Sequence, residues 1–260
     1  MQFPPDSDAQ FARERLASGC ETMTHLLLGL LDSKGRVAEE IHAIRKLGKS
    51  LRGGFALFRL DQSSAREIQM IGRLLAGPRD AVSRLNTWHK LAWNIDPRLA
   101  AAIEAVLDQQ THSSARRPPP KTIEWCIERV AVACHSLHEL APENLAAMIA
   151  AGLAKLQRKT IKRCRKLEHR ADKDFHNTRK ALKAWLGAIG FLPLGRVAPD
   201  PRFEQLAELL GDENDLATLA AWLKSHGFTA KFAPDLWQTL IAARRELQRR
   251  IIKDAARLAS

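Results

Sequence analysis

Tyrosine is missing altogether from this 260-residue chain, and aromatic residues amount to only 6%. No segment sustains the period-two alternation of β-branched and aromatic residues that builds a sheet, which excludes a β-rich fold. Cysteine is scarce too. Cys20, Cys126, Cys134 and Cys164 form no C-x-x-C pair and no metal pattern with histidine, so neither a disulfide framework nor a zinc site is expected. They read as small buried residues in a reducing compartment. The apolar run Leu26 to Leu31 is far too short to span a bilayer, and Met1-Gln2-Phe3-Pro4-Pro5-Asp6 lacks the basic and apolar regions of a leader. A cytoplasmic protein without a membrane partner is the expectation. There is no P-loop, no carboxylate cluster at metal spacing, and no serine or cysteine nucleophile beside a histidine. We therefore expect a protein that is not an enzyme, with no catalytic residues, metal ligands or cofactor. Acidic residues are in deficit as well: 29 against 41 lysines and arginines, a net charge of +12. Such a chain is drawn to polyanions, whether nucleic acid, anionic membrane or polyphosphate.

What the chain does have is a repeated pattern, H-x-x-R-K-x-x-K. It occurs as His42, Arg45, Lys46 and Lys49, and again as His176, Arg179, Lys180 and Lys183. Residues at i, i+3, i+4 and i+7 share one face of a helix, so each set forms a basic ridge, the first extended by Arg52. Ile44, Leu47, Leu51, Phe55 and Phe58 lie opposite and are expected to pack on a core. A third ridge, Lys155, Arg158, Lys159, Lys162, Lys166 and His169, lies on a long helix opposite Leu153, Leu156, Thr160, Cys164 and Leu167.

The breaks between helices are readable in order. Asp6 or Ser7 caps a first helix to about Leu31, closed by Asp32 to Gly35. The basic helix spans about Val37 to Leu60, and Asp61 to Ser64 break it. A helix from Ser64 to about Ala76 follows. Gly77-Pro78 opens another, with Asp80 in its first turn, where a carboxylate suits the helix dipole. It carries Trp88 inward and stops before Asp96-Pro97, and the next runs to about Gln110. Residues 111–120, with three consecutive prolines, read as a linker. Helices are then expected over about Thr122 to Leu140, Pro142 to Arg170, Lys173 to Leu192 and Pro201 to Leu210. Gly211 is expected to close the last of these, Asp212 to cap the next with Asp215 at its third position, and a final helix to run from about Pro234 to Leu258.

His42 recurs as His176 and Asp80 as Asp215, at offsets of 134 and 135 residues, which makes an internal repeat. The expected fold is all-α, with two pseudo-symmetric four-helix bundles, residues 1–138 and 139–260, forming one repeated domain. A single basic ridge is what any solvated helix face presents. Its recurrence is what singles it out. The tryptophans at 88, 125, 185, 222 and 237 recur on apolar faces and read as core.

In these motifs the chain resembles the CHAD family, the conserved histidine α-helical domains. The resemblance is carried by Ile41-His42-x-x-Arg45-Lys46-x-x-Lys49-x-x-Arg52, by Phe175-His176-x-x-Arg179-Lys180-x-x-Lys183, by Leu75-Ala76-Gly77-Pro78-Arg79-Asp80 and by Leu210-Gly211-Asp212-Glu213-Asn214-Asp215-Leu216. It implies two four-helix bundles around a basic cavity that binds inorganic polyphosphate, and an association with polyphosphate granules. By the same resemblance His42, Arg45, Lys46, Lys49 and Arg52 contact phosphates from one half and His176, Arg179, Lys180 and Lys183 from the other, with the Arg158, Lys159, Lys162 and Lys166 helix beside them. The chain departs from the family at Ser50 and Leu186, where further basic residues are usual. A histidine beside phosphate gains proton affinity, so binding is expected to tighten as pH falls through the imidazole range. Nucleic acid is the second choice of partner, since the ridges lack the interleaved aromatics of a single-strand binder and show no recognition helix.

Overall fold

The computed structural model describes residues 6–32, 37–59, 62–92, 95–114, 117–169 and 171–259. Among them are ten α-helices and no strand: α1 Asp6–Asp32, α2 Val37–Leu57, α3 Gln62–Leu74, α4 Gly77–Leu91, α5 Pro97–Ser114, α6 Pro120–His138, α7 Leu145–Arg165, α8 Asp172–Ile189, α9 Arg202–Ser225 and α10 Pro234–Ala259. The all-α expectation holds. The expected break at 33–35, the first residue of the expected 61–64 break, the helix end at Arg170 and the middle of the 111–120 linker lie outside the described residues, whereas Gln62, Ser63 and Ser64, expected to break the chain, already belong to α3.

The chain forms two compact units, one of residues 1–76, 117–161 and 180–200, the other of 77–116, 162–179 and 201–260. These units do not follow the two sequence halves; they take helices from both. In the first, α1 packs on α2 and α6, and α3 on the same two, closing a ring of four helices. Each turns a helical-period stripe inward, such as Leu16, Cys20, Met23 and Leu27 from α1 and Ile41, Ile44 and Leu51 from α2, all buried. In the second unit α4 packs on α5 and α9, and α9 on α10, around Trp88, Leu107, Leu219, Leu223 and Leu240. Trp88, Trp185 and Trp222 are buried as expected, whereas Trp125 and Trp237 are half-buried.

Two further expectations fail. The first is the helix end at Gly211: α9 runs through it without interruption, and Asp212 and Asp215 are interior positions rather than caps. The reason is that the apolar period continues across the glycine, with Leu206, Leu210, Leu216, Leu219 and Leu223 all buried. That burial outweighs the roughly 1 kcal/mol a mid-helix glycine costs. The real stop is Gly227, at φ 87°, where the Phe228 amide donates to the Leu223 carbonyl at 3.0 Å, the closing bond of a left-handed helix cap. Asp80, by contrast, does sit in the first turn of its helix. The second failure is the length of the linker. α5 continues to Ser114, and α6 begins at Pro120, where the missing N–H of the first turn costs nothing.

Arginines finish several helices. Arg13 donates to the Leu137 and His138 carbonyls at the end of α6, Arg117 to Leu31 at the end of α1, and Arg165 to Ala259 at the end of α10. Each places a cation on unpaired terminal carbonyls, where the helix dipole favours it.

Candidate polyanion site

The first ridge lies on α2 as expected: His42 and Lys46 are exposed, and Arg45, Lys49 and Arg52 are half-buried. The half-buried three line a cleft of about 170 Å³ between α2 and α3, floored by Met23, Ile44, Ile68 and Ile71. A fourth cation, Arg73, closes it from α3. Among the described residues no carboxylate lines this cleft. Burial holds the Arg52 guanidinium below its ordinary value, and the neighbouring Arg73 pushes it the same way. A partly desolvated arginine beside a second cation is a charge arrangement that an anion relieves.

Arg45 has a structural duty besides its place in the cleft. Its Nη1 donates to the Gly72 carbonyl at 2.7 Å, in the last turn of α3, so it fastens α3 to α2 while forming one wall of the cleft. Arg73 was not foreseen from the sequence. It belongs to no H-x-x-R-K pattern, and its only signal was a basic residue in the final turn of a helix.

The second ridge lies on α8. His176 and Lys180 are exposed, and Arg179 and Lys183 are half-buried. The unit boundary falls between Arg179 and Lys180, so Lys180 and Lys183 belong with α2 in the first unit. There α2 and α8 cross at glycines. A Cβ on Gly53 would lie 2.7 Å from the Ala184 carbonyl oxygen and 2.7 Å from the Ala188 nitrogen, and one on Gly187 would lie 3.4 Å from the Ser50 Cα. Only glycine lets the two backbones come this close. Lys180 and Lys183 stand seven and four residues before Gly187, on the α8 face that meets α2 beside Lys49. The Ser50 departure has a physical explanation here: this residue sits against the other helix. α7 meets α2 in the same way, with Gly152 pressed on the Leu57 carbonyl, and carries Arg158 and Lys159, both exposed.

The structure thus brings Arg45, Lys49 and Arg52 into one cleft and sets Lys180 and Lys183 on the face of α8 that carries Gly187 to its crossing with α2. Lys162 and Lys166 are exposed and belong to the second unit, together with His176 and Arg179. In that unit His176 Nδ1 lies 3.2 Å from Asn214 Oδ1 on α9. With an oxygen facing it, Nδ1 carries the proton and Nε2 is left for a ligand. The adjacent Glu213 is buried and accepts from Arg244 and, at 3.0 Å, from Gln248 on α10. Arg244 also donates to Asp172 at 3.0 Å, at the start of α8. Burial opposes the Arg244 charge, but Glu213 and then Asp172 raise its proton affinity above the ordinary value. The Leu210 to Leu216 motif is therefore a clamp that holds the start of α8 and aims His176.

The CHAD domain family model matches residues 21–224. The chain belongs to the CHAD family. The match spans every basic residue of the α2, α7 and α8 ridges and Glu213, but not its partners Arg244 and Gln248 on α10. Among solved structures, this CHAD chain is similar to the CHAD domain from the plant Ricinus communis, with a TM-score of 0.62 at 19% identity, covering 92% of this chain and 85% of that one. It is also similar to PptA from Streptomyces chartreusis, with a TM-score of 0.59 at 19% identity, covering 95% and 97%. At such identities these likenesses speak to the fold alone. No curated protein sequence matches the chain. Among the described residues no cluster of histidine, cysteine and carboxylates suits a metal ion, and no helix is long and apolar enough to cross a membrane.

Proposed function

We propose that this CHAD domain binds inorganic polyphosphate, without chemistry of its own, through the cleft lined by Arg45, Lys49, Arg52 and Arg73 together with Lys180 and Lys183 of α8, the helix that crosses α2. The observation that carries this reading is the Arg52 and Arg73 pair. Two guanidiniums share a cleft with a third cation wall and no carboxylate among the described lining residues. A chain of phosphates supplies closely spaced negative charge at low steric cost, and arginine binds it in bidentate fashion. Binding releases the counterions condensed on the polymer, as with nucleic acid, so affinity falls with salt. Such a module would hold the protein on polyphosphate granules.

The test is a titration of the purified protein with long-chain polyphosphate, with single-stranded and duplex nucleic acid of matched charge as competitors, at two salt concentrations. Polyphosphate should win and keep part of its affinity at the higher salt. If all three polyanions compete equally and salt removes them alike, the +12 charge acts only as a diffuse field and the reading fails.

A further inference from the structure

Trp125, a core residue by its sequence pattern, is half-buried on α6 and lines a second cleft of the first unit, of about 520 Å³ between α3 and α6. Met70, Leu74 and the Trp125 indole give this cleft its apolar wall, and Arg73, Lys121 and Thr122 its polar edge. Leu74 is 52% exposed, so the apolar wall meets solvent. Arg73 belongs to both clefts. α3 turns Ile68 and Ile71 to the Arg52 cleft and Met70 and Leu74 to this one, and Arg73, in its last turn, lines the two together. We propose that the Trp125 cleft takes the base of a nucleoside polyphosphate whose phosphates begin at Arg73 and lead toward Arg52. The proposal rests on the polyphosphate reading of the Arg52 cleft and adds an aromatic subsite to it.

The cleft has the size and lining of a small-molecule site, which runs to about 300–1,000 Å³ of apolar and aromatic surface with a few polar groups. Its ring is held in place. Arg129, one turn after Trp125 on α6, stands over the indole at 5.2 Å from the ring centroid and pairs at 3.8 Å with Glu67 on α3. A ring so fixed loses little freedom when a second flat ring stacks on it. A nucleobase is flat, aromatic and uncharged, and its stacking on an aromatic side chain is tolerant of base identity. The Thr122 hydroxyl can donate to or accept from a base edge. At the anionic end Lys121 and Arg73 supply charge, and among the described residues no carboxylate lines the cleft. Lys121 and Thr122 also lie in the first turn of α6, where the helix dipole favours an anion and no acidic residue already compensates it. Inorganic polyphosphate would use the cations and leave Met70, Leu74 and Trp125 facing water. An acyl chain would use the apolar wall and leave the cations idle. A nucleotide uses both, and one ring suits one base, whereas a nucleic-acid strand needs successive aromatic platforms.

The test titrates the full chain by calorimetry with ATP, with inorganic tripolyphosphate and with long-chain polyphosphate, at one salt concentration. ATP should bind about tenfold tighter than tripolyphosphate, the advantage of one stacked base. Trp125→Leu should bring ATP down to the affinity of tripolyphosphate and leave tripolyphosphate unchanged, whereas Arg73→Ala should weaken both. If Trp125→Leu loses its helical circular dichroism, Leu74→Gln takes its place: it trims the apolar wall at an exposed position and should weaken ATP alone. Equal affinity for ATP and tripolyphosphate in the wild-type chain overturns the proposal, as does an ATP advantage that survives in the folded variant. Long-chain polyphosphate tells the two failures apart. If it binds while ATP shows no advantage, the base subsite fails and the polyphosphate reading stands; if it does not bind, the polyphosphate reading fails and takes the subsite with it.

Discussion

Arg52 on α2 and Arg73 on α3 share one cleft, where burial and then the neighbouring Arg73 disfavour the Arg52 charge. Helix packing set by Met23, Ile44, Ile68 and Ile71 forces this proximity, so part of the packing energy is held against cation repulsion. Removing one member relieves it. Arg73→Ala should therefore leave thermal stability unchanged or slightly raised while weakening polyphosphate binding. Thermal denaturation read beside a binding titration checks the pairing of the two effects.

Arg45 should behave in the opposite way. Its bond to the Gly72 carbonyl is a charged one in a half-buried place, worth about 1 kcal/mol after allowance for solvent. Arg45→Ala should lower both stability and affinity, and urea denaturation would show the midpoint falling. A variant that binds less but unfolds at the same urea concentration as the parent would contradict the fastening role.

Gly53 and Gly211 make a matched pair of tests. A Cβ on Gly53 runs into the backbone of Ala184 and Ala188, and Gly53→Ala should cost about 1–3 kcal/mol by forcing α2 and α8 apart. A Cβ on Gly211 meets nothing within 4 Å, in the interior of a continuous helix, so Gly211→Ala should stabilise by about 0.5–1 kcal/mol. Destabilisation by Gly211→Ala would mean that the helix ends there after all.

Much of the fold was legible because its signals are local. The apolar stripe opposite the α2 ridge, the inward Trp88 and the first-turn Asp80 all follow from the helical period and from end effects. The motif at Gly211 misled because a glycine followed by four acidic or amide residues looks like a helix boundary, and only burial of Leu210 and Leu216 on one stripe shows otherwise. The site was half legible. Recurrence of H-x-x-R-K-x-x-K located two ridges, but sequence cannot tell an arginine that ends a helix, such as Arg13 or Arg165, from one that faces a ligand. Arg73 was missed for that reason: it enters the cleft through the α2 and α3 packing, and no spacing announces it. Nor could spacing show that Glu213 and Asn214 serve the second ridge from a helix far along the chain.

The clamp around Glu213 gives a further prediction. The carboxylate is buried and Arg244 is mostly so. Removing one partner of such a pair leaves the other charged and poorly solvated, so Arg244→Ala should cost about 3 kcal/mol. Because the clamp holds α8 and sits beside Asn214, the same variant should alter the NMR signals of the His176 ring. Unchanged His176 signals in a destabilised Arg244→Ala would separate the clamp from any positioning of that histidine.

Thiol reactivity should depend on pH in a residue-specific way. With Cys134 held down to about 6 by Cys20 and then by His138, its alkylation by iodoacetamide should rise through that pH and then level off, since the thiolate is the nucleophile. Cys126 and Cys164, pushed up by burial to about 11, should still be slow at neutral pH. Mass spectrometry of alkylated peptides across pH measures all three in one sample.

The central claim is that cation placement, not total charge, makes the polyphosphate site. The most direct measurement compares polyphosphate Kd for Arg52→Ala/Arg73→Ala with that for Arg250→Ala/Lys253→Ala, two exposed positions on α10 that remove the same charge. The account predicts a loss of about tenfold per residue for the cleft pair, since each charged contact is worth about 1.4 kcal/mol or more, and little change for the α10 pair. Equal weakening of both variants, or a cleft variant that binds like the parent, would contradict it.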